Sequence, residues 1–125
     1  MQITKLIKDK HFKYKEISDL TGIPVTTISN WRNASPAIDK AVKVLNVLGY
    51  KAPADPMQYL WDRYKSLQSE QKHTFWHRSG IGRSTWEEWR AGRMPSLYNY
   101  IVAVQTMDEI LNLESWVTKV VKDGY

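Results

Sequence analysis

Two stretches of this chain repeat each other. Residues 21–33 read TGIPVTTISNWRN and residues 79–92 read SGIGRSTWEEWRAG, sharing Gly22/Gly80, Ile23/Ile81, Thr27/Thr85, Trp31/Trp89 and Arg32/Arg90. Once a single residue is inserted near Met94, the match runs on through Pro36/Pro95, Ile38/Leu97, Val42/Ile101 and Leu45/Val104. Self-similarity at a fixed spacing restricts the fold to two copies of one small unit.

Apolar residues at helical spacing predict an all-α chain. In the first copy Ile3, Leu6 and Ile7 mark one short helix, and Ile17 and Leu20 a second that stops at Gly22. A third covers 23–32 with Pro24 in its first turn, where a missing N–H costs nothing. Ser35-Pro36 is expected to cap and open a fourth, carrying Ile38, Val42, Leu45 and Leu48 as far as Gly49. The stretch YKAPADP, 50–56, has the proline density of a linker. The same order then returns over 57–67, 69–79, 82–91 and 95–111, with a tail helix over 113–122. The predicted architecture is two tandem four-helix helix-turn-helix units, 1–50 and 57–125, joined by 51–56, with the C-terminal helix attached to the second.

The chain has no cysteine, so neither disulfides nor thiolate chemistry is available. No apolar run is long enough to span a bilayer, and the N-terminal residues read as a charged helix rather than a signal sequence. A soluble, cytoplasmic protein is expected. Its net charge of +5 is unevenly placed. Residues 1–54 hold nine Lys and Arg against four acids, whereas 55–125 hold nine of each, so a polyanion is drawn to the first half.

A short helix, a glycine and a second helix with apolar Ile28 and Trp31 form the pattern of a helix-turn-helix. Gly22 turns the chain at positive φ without a steric penalty. Ile17, Ile23, Ile28 and Trp31 then face inward, and Ser18 sits where the helices cross most closely. Val25, Thr26, Ser29 and Asn30 are left outward. Such short neutral groups suit base edges: Asn pairs with adenine, hydroxyls serve either base, and Val touches a thymine methyl.

Residues 1–50, and KEISDLTGIPVTTISNWRN above all, resemble the helix-turn-helix domains of the Cro and CI class of phage repressors. The resemblance implies a compact helical domain that binds operator DNA as a symmetric dimer, with a recognition helix at 24–33 in the major groove. Base edges would fall to Val25, Thr26, Ser29 and Asn30. Phosphates would fall to Tyr14, Lys15, Thr27, Arg32 and Asn33. The expected function is that of a sequence-specific transcriptional regulator of double-stranded DNA, a phage or prophage repressor that binds an inverted repeat as a homodimer.

The second copy departs from this pattern. Trp76 replaces Ser18, so the helix pair must splay or Trp76 must point elsewhere, and Glu87 and Glu88 replace Ser29 and Asn30. Carboxylates facing phosphates are repelled unless a cytosine amino group takes one of them. Lys72, Arg83, Ser84, Arg90 and Arg93 form a possible second DNA surface. Five of the six tryptophans follow the linker, and aromatic residues anchor protein interfaces. The tail places Leu113, Trp116, Val117, Val120 and Val121 on one stripe, expected to form a homodimer interface.

No catalytic set, glycine-rich phosphate loop or cofactor motif stands out, and the chain is not read as an enzyme. His73 and His77 share a helical face but lack a third metal ligand, and Asp108-Glu109 reads as a solvated helix face. Two other functions fit the pattern. One is a protein-binding module or host-factor inhibitor acting through Glu87, Glu88 and the tryptophans. The other is an architectural protein using both units in tandem on one DNA.

Overall fold

The computed structural model describes residues 2–125; Met1, the first residue of the expected 1–50 unit, lies outside them. Nine α-helices cover the described residues, and the fold is all-α. The first unit holds α1 (Ile3–Asp9), α2 (Tyr14–Thr21), α3 (Val25–Asn30) and α4 (Ile38–Val47). The second holds α5 (Pro56–Lys65), α6 (Ser69–Ser79), α7 (Arg83–Arg90) and α8 (Leu97–Leu111), followed by α9 (Trp116–Lys122). No described helix is long and apolar enough to cross a membrane.

The repeated turn is built the same way twice. Gly22 and Gly80 end α2 and α6 in the left-handed region, at φ of 76° and 69°. Thr21 and Ser79, one residue earlier, accept the N–H of Ile23 and Ile81 through their hydroxyls at 3.2 and 3.3 Å. The following helices are shorter than expected at both ends. Pro24 precedes α3 rather than joining its first turn, and α3 closes at Asn30.

The two units meet across a junction of equivalent residues. Ala37 and Ser96, partners in the repeat, form an isolated antiparallel bridge. Around them the Ile38 N–H donates to the Pro95 carbonyl at 2.9 Å, and the Leu97 N–H donates to the Pro36 carbonyl at 2.7 Å. Ser35 was expected to cap the fourth helix. Instead α4 begins at Ile38, and the Ser35 hydroxyl accepts the Tyr98 N–H at 3.0 Å from across the junction. Behind the bridge α4 packs on α8 as well as on α2, and Ile38, Ala41, Val42 and Leu45 of α4 and Leu97, Tyr100, Ile101 and Val104 of α8 are all buried. One continuous apolar core results.

The connector is fixed along its length. Asn46 accepts the Ala52 N–H at 2.6 Å and donates to its carbonyl at 3.2 Å, and the Tyr100 hydroxyl donates to the Pro56 carbonyl at 2.7 Å. The tail corrects the expected homodimer stripe. Val117 and Val120 are fully buried within the chain, and Trp116 packs on Tyr59 and Tyr100. Val121 is half-buried, and Leu113 alone of the stripe stays exposed. The chain therefore uses its own tail as a brace. Tyr50 in the first unit donates to Asp123 at 2.7 Å, Lys10 pairs with the same carboxylate at 3.5 Å, and the Tyr125 and Ser35 hydroxyls lie 3.3 Å apart.

Burial pushes the Tyr50 and Tyr100 phenols well above the ordinary value of 10.0, and for Tyr50 the Asp123 hydrogen bond adds to this. Above pH 10 the unfolded chain gives up these protons and the folded one keeps them, so stability is intact below that value and falls as pH climbs past it. Urea melts from pH 8 to 11 should show this decline, and Y50F should flatten it. An equal slope in wild type and Y50F would remove Tyr50 from the linkage.

Candidate nucleic-acid interface

α3 is positioned by its inner face. Ile28 is fully buried, Trp31 nearly so, and α2 packs closely against α3. What this leaves outward matches the sequence reading at three of four base-edge positions, because Val25, Thr26 and Asn30 are exposed. Ser29 is the exception. It is half-buried, and the Arg32 side chain folds back on it, with Nε 3.3 Å from the Ser29 carbonyl and Nη2 3.4 Å from its hydroxyl. Ser29 therefore steadies Arg32 rather than presenting a free hydroxyl.

The positions expected to meet phosphates lie on α2, on α3 and just past α3. Lys15 lies exposed in the first turn of α2, and Arg32 and Asn33 are exposed just past α3. Thr27 is half-buried toward the flank, as its spacing implied. Tyr14 is also half-buried, with its ring against the core. Neither Lys15 nor Arg32 has a carboxylate within ion-pair reach among the described residues. The side chain of Gln2 donates to the Arg32 carbonyl and ties the chain start to this corner.

The second unit holds its charges differently. Trp76 wedges between α6 and α7, 5.1 Å from Trp86 and 5.2 Å from Phe75, and these helices make no approach as close as that of α2 and α3. The splay anticipated from its size is present. The Arg83 guanidinium stands 5.5 Å over the Trp76 ring, and the Lys72 ammonium stands 5.0 Å over Tyr64. Ser84, Glu87 and Arg90 are exposed, while Arg93 pairs with Glu88. An open groove of about 430 Å³ gathers Trp61, Tyr64 and Trp86 with Lys65, Lys72 and Arg90, and no carboxylate lines it.

Two further clefts border the junction. One, of about 480 Å³, lies between Trp31–Pro36 and the second unit's Tyr98 and Tyr125. The other, of about 450 Å³, sets Thr85, Glu88 and Arg93 against Ser35 and Ala37 of the first unit. Tyr98 is a component the sequence did not single out. Its only signal was an aromatic residue on the polar side of a helix, and it is 58% exposed.

Asp108 overturns another expectation. It is buried, not solvated, and pairs with Arg63 on α5 at 3.2 Å, while its neighbour Glu109 is exposed and pairs with Arg78 at 2.7 Å. Burial pushes the Asp108 carboxyl above its usual range, against the opposing pull of Ser115 and Arg63. His73 and His77 are exposed, and no group of three or more metal-ligating side chains comes together among the described residues.

Comparison with protein-family models, with curated proteins and with solved structures finds no match to this chain. The functional reading rests on the geometry above.

Proposed function

We propose that the protein is a sequence-specific regulator that binds double-stranded DNA, with α3 lying in the major groove. The observation that carries this reading is the open face of α3. Val25, Thr26 and Asn30 stay exposed although the second unit packs tightly against the first, because docking is taken up by α4 and the bridge instead. Lys15, Arg32 and Asn33 flank that face, and the excess positive charge of the chain lies in the same half. The amide of Asn30 supplies a donor and an acceptor to one base edge, Val25 and Thr26 supply methyl and hydroxyl contacts, and the cations grip phosphate oxygens. A homodimer closed by the tail stripe is not part of the proposal, since Val117 and Val120 are already buried.

Two variants separate readout from grip. N30A should cost on the order of 1–3 kcal/mol on the preferred duplex and relax the preference at one base position. K15A should weaken binding to every sequence and lower the salt slope by about one. A binding-site selection from randomised duplexes followed by a salt titration checks both. No retained duplex at low salt, or an unchanged preference in N30A, would remove α3 from the role.

A further inference from the structure

We infer that one chain engages DNA as a pseudo-dimer, setting α3 and α7 on two dissimilar half-sites in inverted orientation. This rests on the DNA-binding reading of α3 and extends it to the form of the target.

Ala37 and Ser96 occupy the same place in the two copies, and they pair with each other. The hydrogen bonds on either side are reciprocal: Ile38 to Pro95, and its equivalent Leu97 to Pro36. A contact in which residue i of one copy meets j of the other, and j meets i, is the mark of a two-fold interface. Here the two-fold is internal. A head-to-tail tandem would instead pair unlike positions.

The apolar surface that such an interface uses is spent within the chain. Ile38, Val42 and Leu45 on α4 and their equivalents Leu97, Ile101 and Val104 on α8 are all buried. No matching stripe remains on these helices for a second copy.

The internal two-fold relates α3 to α7, and a junction cleft lies beside the end of α3 and another beside α7. Arg32 and Asn33, just beyond α3, share a cleft with Tyr98 of the second unit. Thr85 and Glu88 on α7 share the other cleft with Ser35 and Ala37 of the first. A duplex laid across the bridge would meet one helix from each unit, and the half-site spacing this arrangement calls for is about one DNA turn, roughly 34 Å.

The two halves then read different chemistry. Val25, Thr26 and Asn30 are uncharged, whereas their counterparts are Arg83, Ser84 and Glu88; Glu88 pairs with Arg93, and the neighbouring exposed Glu87 brings a carboxylate that accepts from a cytosine amino group. Arg83, Arg90 and Lys72 supply the positive charge that offsets those carboxylates along the phosphates.

The test is binding-site selection from a randomised duplex pool with the full chain, followed by native mass spectrometry of the complex. The expected result is one chain per duplex, on two unlike half-sites in inverted orientation. E87Q and E88Q should change base preference in one half only, and N30A in the other only. Both glutamates are exposed, and E88Q gives up only a surface ion pair with Arg93, so these variants keep the fold. Two chains on a symmetric repeat, two half-sites in direct repeat, or a single half-site indifferent to E87Q and E88Q would overturn the inference while leaving α3 as a reader. Failure to enrich any duplex would overturn the DNA-binding reading itself, and this one with it.

Discussion

W86A is expected to cost about 3–5 kcal/mol of folding stability, the range for truncating a buried large aromatic. Trp86 is the hub of the second unit. Its ring lies 5.1 Å from Trp61, 5.0 Å from Tyr64, 5.4 Å from Phe75, 5.1 Å from Trp76 and 5.7 Å from Trp89, mostly edge to face. Those geometries add to the plain burial of an indole. Against a total of about 5–15 kcal/mol for a domain, this is a large fraction. Because the two units share one core, the loss should appear as a single earlier transition in urea, with fluorescence and circular dichroism coinciding. A cost below about 1 kcal/mol, typical of surface positions, would mean the aromatic cluster repacks freely.

The second large effect is expected at Arg63. Removing one partner of a buried ion pair leaves an uncompensated charge, which typically costs about 3–5 kcal/mol. Asp108 has almost no exposure, and among the described residues Arg63 is its only cationic partner in ion-pair reach. The guanidinium also donates to the Tyr59 hydroxyl at 2.9 Å within α5, a contact that R63A removes as well. The carboxyl has an escape by taking a proton, and its folded-state affinity for one is already raised. A raised carboxyl pKa means that the folded chain holds the proton longer than the unfolded one. The penalty of R63A is therefore smallest near and below the ordinary carboxyl value of 3.8 and grows as pH rises through the folded-state value. Urea denaturation of R63A and wild type at pH 7 and pH 4 reads this directly. An equal loss at both pH values would mean that Asp108 plays no part, and the packing of Arg63 on Tyr59 explains the effect.

Much of the fold was legible because the signals were local. Apolar spacing and the two glycines placed the nine helices of the described residues and both turns, and the inward set of Ile17, Ile23, Ile28 and Trp31 is buried as the pattern implied. Trp76 was legible through its volume alone. What the sequence concealed is non-local. A helical stripe shows that a face must be covered but not by what, so Val117 and Val120 looked free for a partner until the chain's own α8 side proved to cover them. Asp108 sits beside Glu109 like any acid on a wet helix, and only the reach of Arg63 from α5 explains its burial. Ser35 read as a helix cap because its position beside Pro36 favours one, yet its hydroxyl is taken by Tyr98, which lies 63 residues further along. For the candidate interface, Val25, Thr26 and Asn30 followed from spacing. Ser29 did not, because the fold-back of Arg32 depends on side-chain reach rather than periodicity.

The bridge between Ala37 and Ser96 joins two halves that can never drift apart in solution. For separate subunits the fraction assembled depends on abundance, whereas a covalent connector holds its ends at an effective concentration on the order of millimolar. Any ligand that needs both halves thus meets them ready joined at the lowest expression level, and its occupancy rises in simple proportion to the amount of protein rather than with the square.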